Sequence, residues 1–269
     1  MGFNAAKIVP IVILFLTPFF LGSIVSINPA TDEEEVILVP VVKERNIGKK
    51  IDEQVRKQYK MPVDPLLDQR VKQIGDSLAL CTDRKDLVYR FKVLEDEKDN
   101  NYNAFAAPGG YIYIFSDLME ALKTDDNTAA VLSHEMAHVE AKHSVKRMQA
   151  NLGVTALLLL GTQIEAEQGT YAALGNAIGQ LMSAYSRKDE RQADELSVKY
   201  LRLAGFDAYG TIRALETLRD FRKKAPTRRY SYFRSHPYLS ERISYLKKYI
   251  TGHMDFDSYI NMPPARDGL

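Results

Sequence analysis

Two histidines and one glutamate have the types and the spacing of a metal site. His134 and His138 stand four residues apart, and Glu135 directly follows the first of them. Residues i and i+4 of a helix share a face about one turn apart, so both imidazoles can bind one Zn²⁺ while Glu135 projects beside the metal-bound water. Because the chain has only 5 histidines among 269 residues, chance rarely gives this spacing. Two ordinary core histidines are the weaker interpretation.

A third ligand must come from elsewhere in the chain, since a catalytic zinc site usually has three protein ligands and one open position. Residues 186–194 offer Glu190 and, one helical turn later on the same face, Asp194. Glu190 can bind the metal while Asp194 fixes the tautomer of a ligating histidine. Taken alone, this run is typical of a solvated charged helix, but the histidine pair favours the metal interpretation.

Composition excludes several other classes of protein. With 45% hydrophobic and 26% charged residues, the chain can build one sizeable core. Lys+Arg is 36 and Asp+Glu is 35, so no whole-chain field would gather nucleic acid. The single cysteine, Cys81, excludes a disulfide scaffold and a Cys-rich zinc module. Tyr230, Tyr232 and Phe233 lie among arginines, where a solvated surface is favoured over an RNA site.

An apolar segment near the start predicts that the chain meets a membrane. Ile8–Ile27 carries no charge, and a helix of that length could span roughly 30 Å of hydrocarbon. Lys7 precedes the segment and an acidic cluster at 32–35 follows it, so the positive-inside rule predicts export of the rest of the chain. Residues 1–27 are predicted as a signal peptide or a retained anchor, and a buried core helix is the remaining alternative.

The folded domain is predicted over residues 49–255. Prolines, a glycine and acidic residues predict a linker at 28–48 with one short strand at Val36–Val42. A polar tail is expected at 256–269.

The domain is predicted to combine helices with a small sheet. Alternation at Val88–Leu94, and two apolar stretches joined by the turn Pro108-Gly109-Gly110, predict strands. The two apolar stretches, Tyr102–Ala106 and Tyr111–Phe115, would form a hairpin. The predicted helices are Asp64 to about Leu80, Asn127–Ala150, Tyr171–Leu203, Asp207–Lys224 and Leu239–Ile250. The fold class is therefore α+β and mainly helical, with a small antiparallel-edged sheet and an N-terminal hydrophobic helix.

Four separate pieces of the chain, in the right order, resemble the zinc metallopeptidases of the gluzincin type related to the BepA, LoiP-like and CAAX prenyl proteases. The resemblance covers roughly residues 64–250. Its pieces are NAFAAPGGYIY at 103–113, His134 to His138 with His143 trailing, Ser186-Arg187 with Glu190 through Asp194, and Ser235-His236-Pro237 with Glu241-Arg242-Ile243.

The resemblance implies a zincin-like metallopeptidase domain with one Zn²⁺ per chain. It implies His134, His138 and Glu190 as zinc ligands, Glu135 as general base and Asp194 as the partner of a ligand, in agreement with the roles argued from spacing. The chain departs from the family's pattern in two ways. Only about twenty residues follow Ile250, so the helical-repeat domain of BepA is not expected, and the multispanning membrane body of the prenyl protease is missing. A single-domain, exported, LoiP-like protease is therefore expected.

The expected mechanism follows from charge. Zinc can lower the pKa of its bound water to about 7, and Glu135 can take that proton and later protonate the leaving amine. The resemblance of the His-Pro piece prompts the hypothesis that His236 stabilises the developing oxyanion. Two alternatives stay open: His236 occupies the open metal position in a latent enzyme, or it only orders a loop.

Substrate is expected to add as a strand along an edge of the sheet, because main-chain hydrogen bonding gives affinity with little sequence preference. Strand pattern and family resemblance together place this edge at Asn103, Ala104, Phe105 and Ala106. An ordinary interior strand is the alternative.

Two further histidines and one short apolar segment are not expected to belong to the metal site. His143 follows His138 by five residues, about 140° further around a continuous helix, so it is not expected to share the metal. His253 lies in a polar tail and carries no argument. Leu152–Leu160 is too short to span a bilayer and is predicted as a core helix or a flap near the cleft.

The sequence thus predicts an exported zinc endopeptidase that acts on unfolded or misassembled cell-envelope proteins in the periplasm or another extracytoplasmic space. Polypeptides are the expected partners, with the membrane as a further partner if Ile8–Ile27 is retained and with no nucleic acid. Two other functions stay open: a non-catalytic chaperone or scaffold with structural zinc, and a zinc hydrolase for a non-peptide bond.

Overall fold

The structure is a computed structural model that describes residues 25–28, 30–61, 64–96, 101–153, 157, 160–162, 168–224 and 232–252. The predicted N-terminal hydrophobic helix lies outside this part of the chain, except that Val25–Ile27 forms a strand. The predicted tail at 256–269 and His253 also lie outside it. None of the helices within the described ranges is both long and apolar enough to cross a membrane.

Helices dominate the described ranges. The strands are β1 Val25–Ile27, β2 Glu34–Val36, β3 Arg90–Leu94, β4 Ala104–Ala107 and β5 Tyr111–Phe115. The helices are α1 Val41–Gln58, α2 Pro65–Ala79, α3 Ser116–Leu122, α4 Asp125–Glu140, α5 His143–Leu152, α6 Gln168–Leu181, α7 Arg187–Leu203, α8 Gly210–Lys224, α9 Tyr232–Ser235 and α10 Leu239–Thr251.

The central sheet has three strands in the order β3-β5-β4. β4 and β5 form the predicted antiparallel hairpin, with Phe105 opposite Tyr113, and Gly109 and Gly110 in its turn take positive φ angles of 77° and 89°. β3 runs parallel to β5. The sheet is therefore mixed, and only its β4 edge is antiparallel as predicted. β1 and β2 form a separate antiparallel pair.

Two hydrophobic clusters cover the two faces of the sheet, because successive β5 side chains point to opposite faces. Ile112 and Ile114 pack in one cluster with apolar residues of α2, α4, α7, α8 and α10. Tyr113 and Phe115 pack in the other with apolar residues of α1, α5 and α6. Leu157 and Leu160 are buried in this second cluster, which agrees with the core interpretation of their segment. The sheet thus fixes α4 on one side and α1 on the other.

The region predicted as a linker is folded where it is described. Asn28 and Ile47 are buried, and α1 begins at Val41. The predicted strand at Val36–Val42 is wrong, since β2 ends at Val36. The amphipathic spacing within α1 overrides the local linker composition, so these residues pack against the sheet.

The predicted start of α2 is confirmed, because the Asp64 side chain accepts a hydrogen bond from the Leu66 N–H at 2.9 Å and Pro65 is the first helical residue.

Two long predicted helices are wrong, because each is broken into two helices. The first, Asn127–Ala150, breaks at Lys142, which is left-handed with φ 54° and ψ 25°. The second, Tyr171–Leu203, breaks between α6 and α7, where Ser186 caps α7 in a capping box with Asp189. Both breaks lie beside the site described next.

Candidate metal centre

Two packed helices present the predicted ligands. His134 and His138 lie on successive turns of α4, and Glu190 lies in the first turn of α7. Reciprocal serine hydrogen bonds join these helices: Ser133 Oγ donates to the Ser197 carbonyl at 3.1 Å, and Ser197 Oγ donates to the Ala130 carbonyl at 3.4 Å. Both serines are fully buried, so these bonds hold the two helices in one register.

Four donor side chains converge within 4.8 Å of one another: His134, His138, Glu190 and His236, which we call the metal-donor group. His134 Nε2 lies 3.1 Å from His138 Nε2 and 3.5 Å from Glu190 Oε2. His236 Nδ1 lies 3.3 Å from His134 Nε2 and 3.1 Å from Glu190 Oε1. Ligand atoms around tetrahedral zinc with bonds near 2.0–2.1 Å stand roughly 3.3 Å apart. The observed separations therefore fit a zinc ion.

Asp194 lies on the far side of His134 from the other donors. Its Oδ1 lies 3.0 Å from His134 Nδ1. Sequence reasoning assigned no role to Arg242, which forms a bidentate pair with Asp194 at 2.6 and 2.9 Å and lies 2.6 Å from Glu190 Oε2. Its presence in the Glu241-Arg242-Ile243 piece was the available signal. One buried cation therefore contacts two buried carboxylates and offsets one of their two negative charges.

The pKa values of the two α4 histidines differ for identifiable reasons. Burial and the Arg242 charge lower the pKa of His134, but hydrogen bonds to Asp194 and Glu190 outweigh them and raise it to about 9. Burial, together with the neighbouring imidazoles, holds the pKa of His138 well below its usual value. Burial would raise the pKa of Glu190, yet Arg242 and His236 hold it far below its usual range. Because metals bind neutral imidazole and ionised carboxylate, His138 and Glu190 already have the required charge states.

Glu135 is a fully buried carboxylate beside this group. Among the described residues, neither of its oxygens accepts a hydrogen bond, although His236 Nε2 lies 3.2 Å from Oε1. Buried carboxylates are otherwise nearly always hydrogen-bonded, and each exception needs an explanation. This position suits a general base that must stay free to take a proton.

Aromatic rings enclose the donors, and sequence reasoning missed them. Tyr185 stacks on His138 with ring centroids 3.9 Å apart, and Tyr232 stacks on His236 at 4.3 Å. The prediction that Tyr232 lies on a solvated surface is wrong, since it is only 1% exposed. Arg147 lies over the Tyr185 ring, 3.8 Å from its centroid. The metal-donor group is therefore closed to solvent in this structure.

His143 does not belong to the metal-donor group, but its predicted direction is wrong. Because α4 ends before Lys142, the ring returns toward the site, and its Nδ1 lies 2.8 Å from His138 Nδ1. A continuous helix would have turned it away by about 140°.

The predicted substrate strand is at an edge of the central sheet, since β4 pairs only with β5 among the described strands. Ala104, Phe105 and Ala106 are at most 2% exposed. Asn103 is also buried, and its Nδ2 donates to Met182 Sδ at 3.5 Å. The edge is therefore covered in this structure.

Comparison with known proteins agrees with this geometry. The model of peptidase family M48 matches residues 65–250. Metalloprotease LoiP of Escherichia coli is 30% identical over 189 residues, which cover 69% of this chain and 71% of LoiP. Metalloprotease YcaL of the same organism is 31% identical over 55% of this chain and 58% of YcaL.

A putative beta-barrel assembly-enhancing protease of Vibrio cholerae is 29% identical over 54% of this chain and 31% of its own length. The chain therefore spans about a third of the Vibrio protein and more than half of YcaL. The match to the family model extends from α2 to α10 and includes the whole metal-donor group. The chain belongs to peptidase family M48.

Proposed function

We propose that this chain is a zinc endopeptidase that hydrolyses unfolded or misassembled proteins of the cell envelope, with Zn²⁺ held by His134, His138 and Glu190. The observation that carries the proposal is the buried carboxylate of Glu135, which accepts no hydrogen bond from the described residues and lies beside four metal donors. A purely structural zinc site has no use for such a base. Glu135 therefore favours an enzyme over a chaperone or scaffold.

When bound, Zn²⁺ supplies Lewis-acid chemistry, acidifying a water molecule and polarising a carbonyl. Glu135 takes the proton of the attacking water on a carboxylate oxygen and returns it to the nitrogen of the leaving amine. Asp194 accepts the Nδ1 proton of His134 and keeps its Nε2 free for the metal. Arg242 holds Asp194 in place through two hydrogen bonds.

We assign His236 to the resting state as a fourth ligand that closes the site, and to turnover as a donor to the developing oxyanion. Its Nδ1 among the donors and its burial support the first role. Its Nε2, 3.2 Å from Glu135 Oε1, supports the second, because a donor beside the base is near the reacting carbonyl. His236→Ala should change peptide turnover while zinc stays bound. Unchanged turnover would contradict both roles.

Substrate binding along β4 requires the covering residues to move, since the strand is buried. Ala104→Pro removes a backbone donor from this edge and should abolish cleavage of an unfolded protein in a variant that circular dichroism shows to be folded. Cleavage at the full rate would place the substrate elsewhere.

An envelope location is supported by the order of Lys7, the apolar stretch Ile8–Ile27 and the acidic residues that follow. The Vibrio cholerae relative, named as a beta-barrel assembly-enhancing protease, fits such a location. A C-terminal alkaline phosphatase fusion, active only outside the cytoplasm, should be active. An inactive fusion that is made at normal levels would reject the location.

The decisive experiment for catalysis is Glu135→Gln. The variant should keep its zinc, measured by metal analysis, and lose about 10²–10⁴-fold in cleavage of an unfolded protein. Glu53→Gln, an exposed change on α1, is the matched control and should cleave normally. Equal cleavage by Glu135→Gln and the unmutated chain would point to a contaminating protease and reject the role of Glu135. Hydrolysis of a non-peptide bond alone would redirect the substrate assignment.

A further inference from the structure

His138 is held between two different partners. Its Nε2 faces the donors, 3.1 Å from His134 Nε2 and 3.7 Å from Glu190 Oε1. Its Nδ1 faces away from them, 2.8 Å from His143 Nδ1. A contact between two imidazole nitrogens requires one to donate and the other to accept. The direction of this bond decides which nitrogen of His138 carries the proton.

The far side of His143 indicates that direction. Its Nε2 lies 2.8 Å from Gln192 Oε1 and 3.5 Å from Asp189 Oδ1. The other oxygen of Asp189 accepts from Ser186 Oγ at 2.7 Å in the capping box of α7, so helix capping holds this carboxylate. Amide and carboxylate oxygens only accept hydrogen bonds. His143 Nε2 must therefore carry a proton and donate it.

A neutral imidazole that donates from Nε2 accepts at Nδ1. His143 Nδ1 then accepts the proton of His138 Nδ1, and His138 Nε2 presents a lone pair to the donors. The reverse chain, with the Gln192 amide nitrogen donating, would place a proton on His138 Nε2. That nitrogen could not bind a metal.

The two α4 ligands are thus supported differently. His134 Nδ1 faces the carboxylate of Asp194 at 3.0 Å, whereas His138 Nδ1 faces a second imidazole. The helix break at Lys142 makes the second arrangement possible, because it brings His143 back toward the ligand. A carboxylate partner makes a ligand more basic. A neutral partner leaves more positive charge on the metal, which favours Lewis-acid chemistry.

We propose that His143 and Gln192 are positioning residues that hold His138 in the Nδ1–H tautomer, so that Nε2 is ready for zinc. This inference rests on the proposed zinc site. It extends that site to a chain of three side chains from α4, α5 and α7, with Asp189 as a second acceptor for His143. Tyr185 stacked on His138 fixes the plane of the ring in which this chain acts.

The tautomers of the unmutated, zinc-loaded full chain test the proposal directly. Two-bond ¹H–¹⁵N correlation spectra should show His138 protonated at Nδ1, and His143 protonated at Nε2 with a free Nδ1. A His143 protonated at Nδ1 would overturn the proposal. This measurement needs no variant, so it decides the question even where a substitution prevents folding.

Zinc affinity, measured by competition with a chromophoric chelator, gives a second readout. His143→Leu should weaken zinc binding about 10–100-fold. Gln192→Leu should weaken it less, because Asp189 remains, and should shift the His143 proton partly to Nδ1. Gln192→Glu keeps an acceptor and should retain the affinity and tautomers of the unmutated chain. The matched control is Gln73→Leu, at an exposed position of α2, which should change neither.

The outcomes separate this proposal from the proposed function. If the unmutated chain binds no zinc, the proposed function fails. If it binds zinc but His143→Leu and Gln192→Leu bind it equally tightly, the positioning pair alone is rejected. Loss of affinity in Gln192→Glu equal to that in Gln192→Leu would also reject it, since packing rather than the acceptor would then matter.

Discussion

Two buried polar clusters lie on the same helix, α4, and they differ in how completely their groups are paired. His134, Glu135 and His138 place part of the metal site on the second half of this helix, while Glu190 and His236 reach the site from outside the helix. At its C-terminal end, Glu140 belongs to a second cluster, which we call the Arg84 network. Its members are Glu44, Arg84, Tyr89, Glu140 and Tyr200.

The Arg84 network is internally satisfied. Arg84 forms a bidentate pair with Glu44 at 2.8 and 3.1 Å, and Nη1 also donates to the Val139 carbonyl. Glu140 accepts from the backbone N–H groups of Asp83 and Arg84, from Tyr200 at 3.1 Å and, through a very short bond, from Tyr89. The charged groups of this network are therefore hydrogen-bonded within the protein and do not require a bound metal ion.

Glu135, about 1.4 turns earlier, accepts no hydrogen bond from the described residues, and the nitrogen facing it is His236 Nε2 at 3.2 Å. Burial of a charged side chain on a helix therefore does not by itself mark a functional site. A paired network stabilises the fold, whereas an unpaired carboxylate beside convergent donors is available for chemistry.

The largest stability effect is expected from Arg84→Met. Both Arg84 and Glu44 are almost fully buried, so the change leaves an uncompensated carboxylate and should lower the free energy of unfolding by about 3–5 kcal/mol. Urea denaturation measures it. Adding Glu44→Gln should recover part of the loss, and a loss below about 1 kcal/mol would show that the network is not structural.

Removal of the metal should lower stability through the metal-donor group and leave the Arg84 network unchanged. Chelation should lower the free energy of unfolding by about 2.7 kcal/mol relative to protein at free zinc of 100 times Kd. The effect of Arg84→Met should be the same with and without zinc, because separate sites add. A strong dependence of that effect on zinc would mean that the two clusters are coupled.

Glu140→Gln and Glu135→Gln form a matched pair on one helix. Glu140→Gln weakens hydrogen bonds to a charged acceptor and should destabilise by about 2 kcal/mol. Glu135→Gln removes a buried charge that accepts no hydrogen bond from the described residues, and it should leave metal-free stability unchanged or raise it. Thermal unfolding of the metal-free proteins compares them. Equal destabilisation by both would erase the distinction between the clusters.

The smallest effect is expected at Asp52, a buried carboxylate of α1. Burial would raise the pKa of Asp52, but hydrogen bonds from Lys92 and Tyr113 outweigh it and lower the pKa below 3.8. A folded pKa below the unfolded one adds stability that is present above pH 3.8 and is lost as pH falls through the folded value. The stability difference between the unmutated chain and Asp52→Asn should therefore vanish in acid. A difference that does not change with pH would contradict this role.

Local patterns predicted much of the fold. The Asp64 cap, the hairpin and the alternation of β3 each depend on neighbouring residues, so they could be read from sequence. The break at Lys142 could not, because a lysine in the left-handed region is disfavoured locally and is held there by its surroundings. The break also accounts for the wrong direction predicted for His143.

Residue spacing alone identifies the side chains that could do chemistry, because His134, Glu135 and His138 share one helix whose geometry sets their relative positions. Helix packing brings the other groups of the site to them. Glu190, His236 and Arg242 lie between 52 and 108 residues away along the chain from His138 or His134, at distances that only helix packing sets. A buried carboxylate is costly unless it accepts hydrogen bonds. Residues distant in the sequence supply those bonds at Glu140, whereas Glu135 accepts none from the described residues.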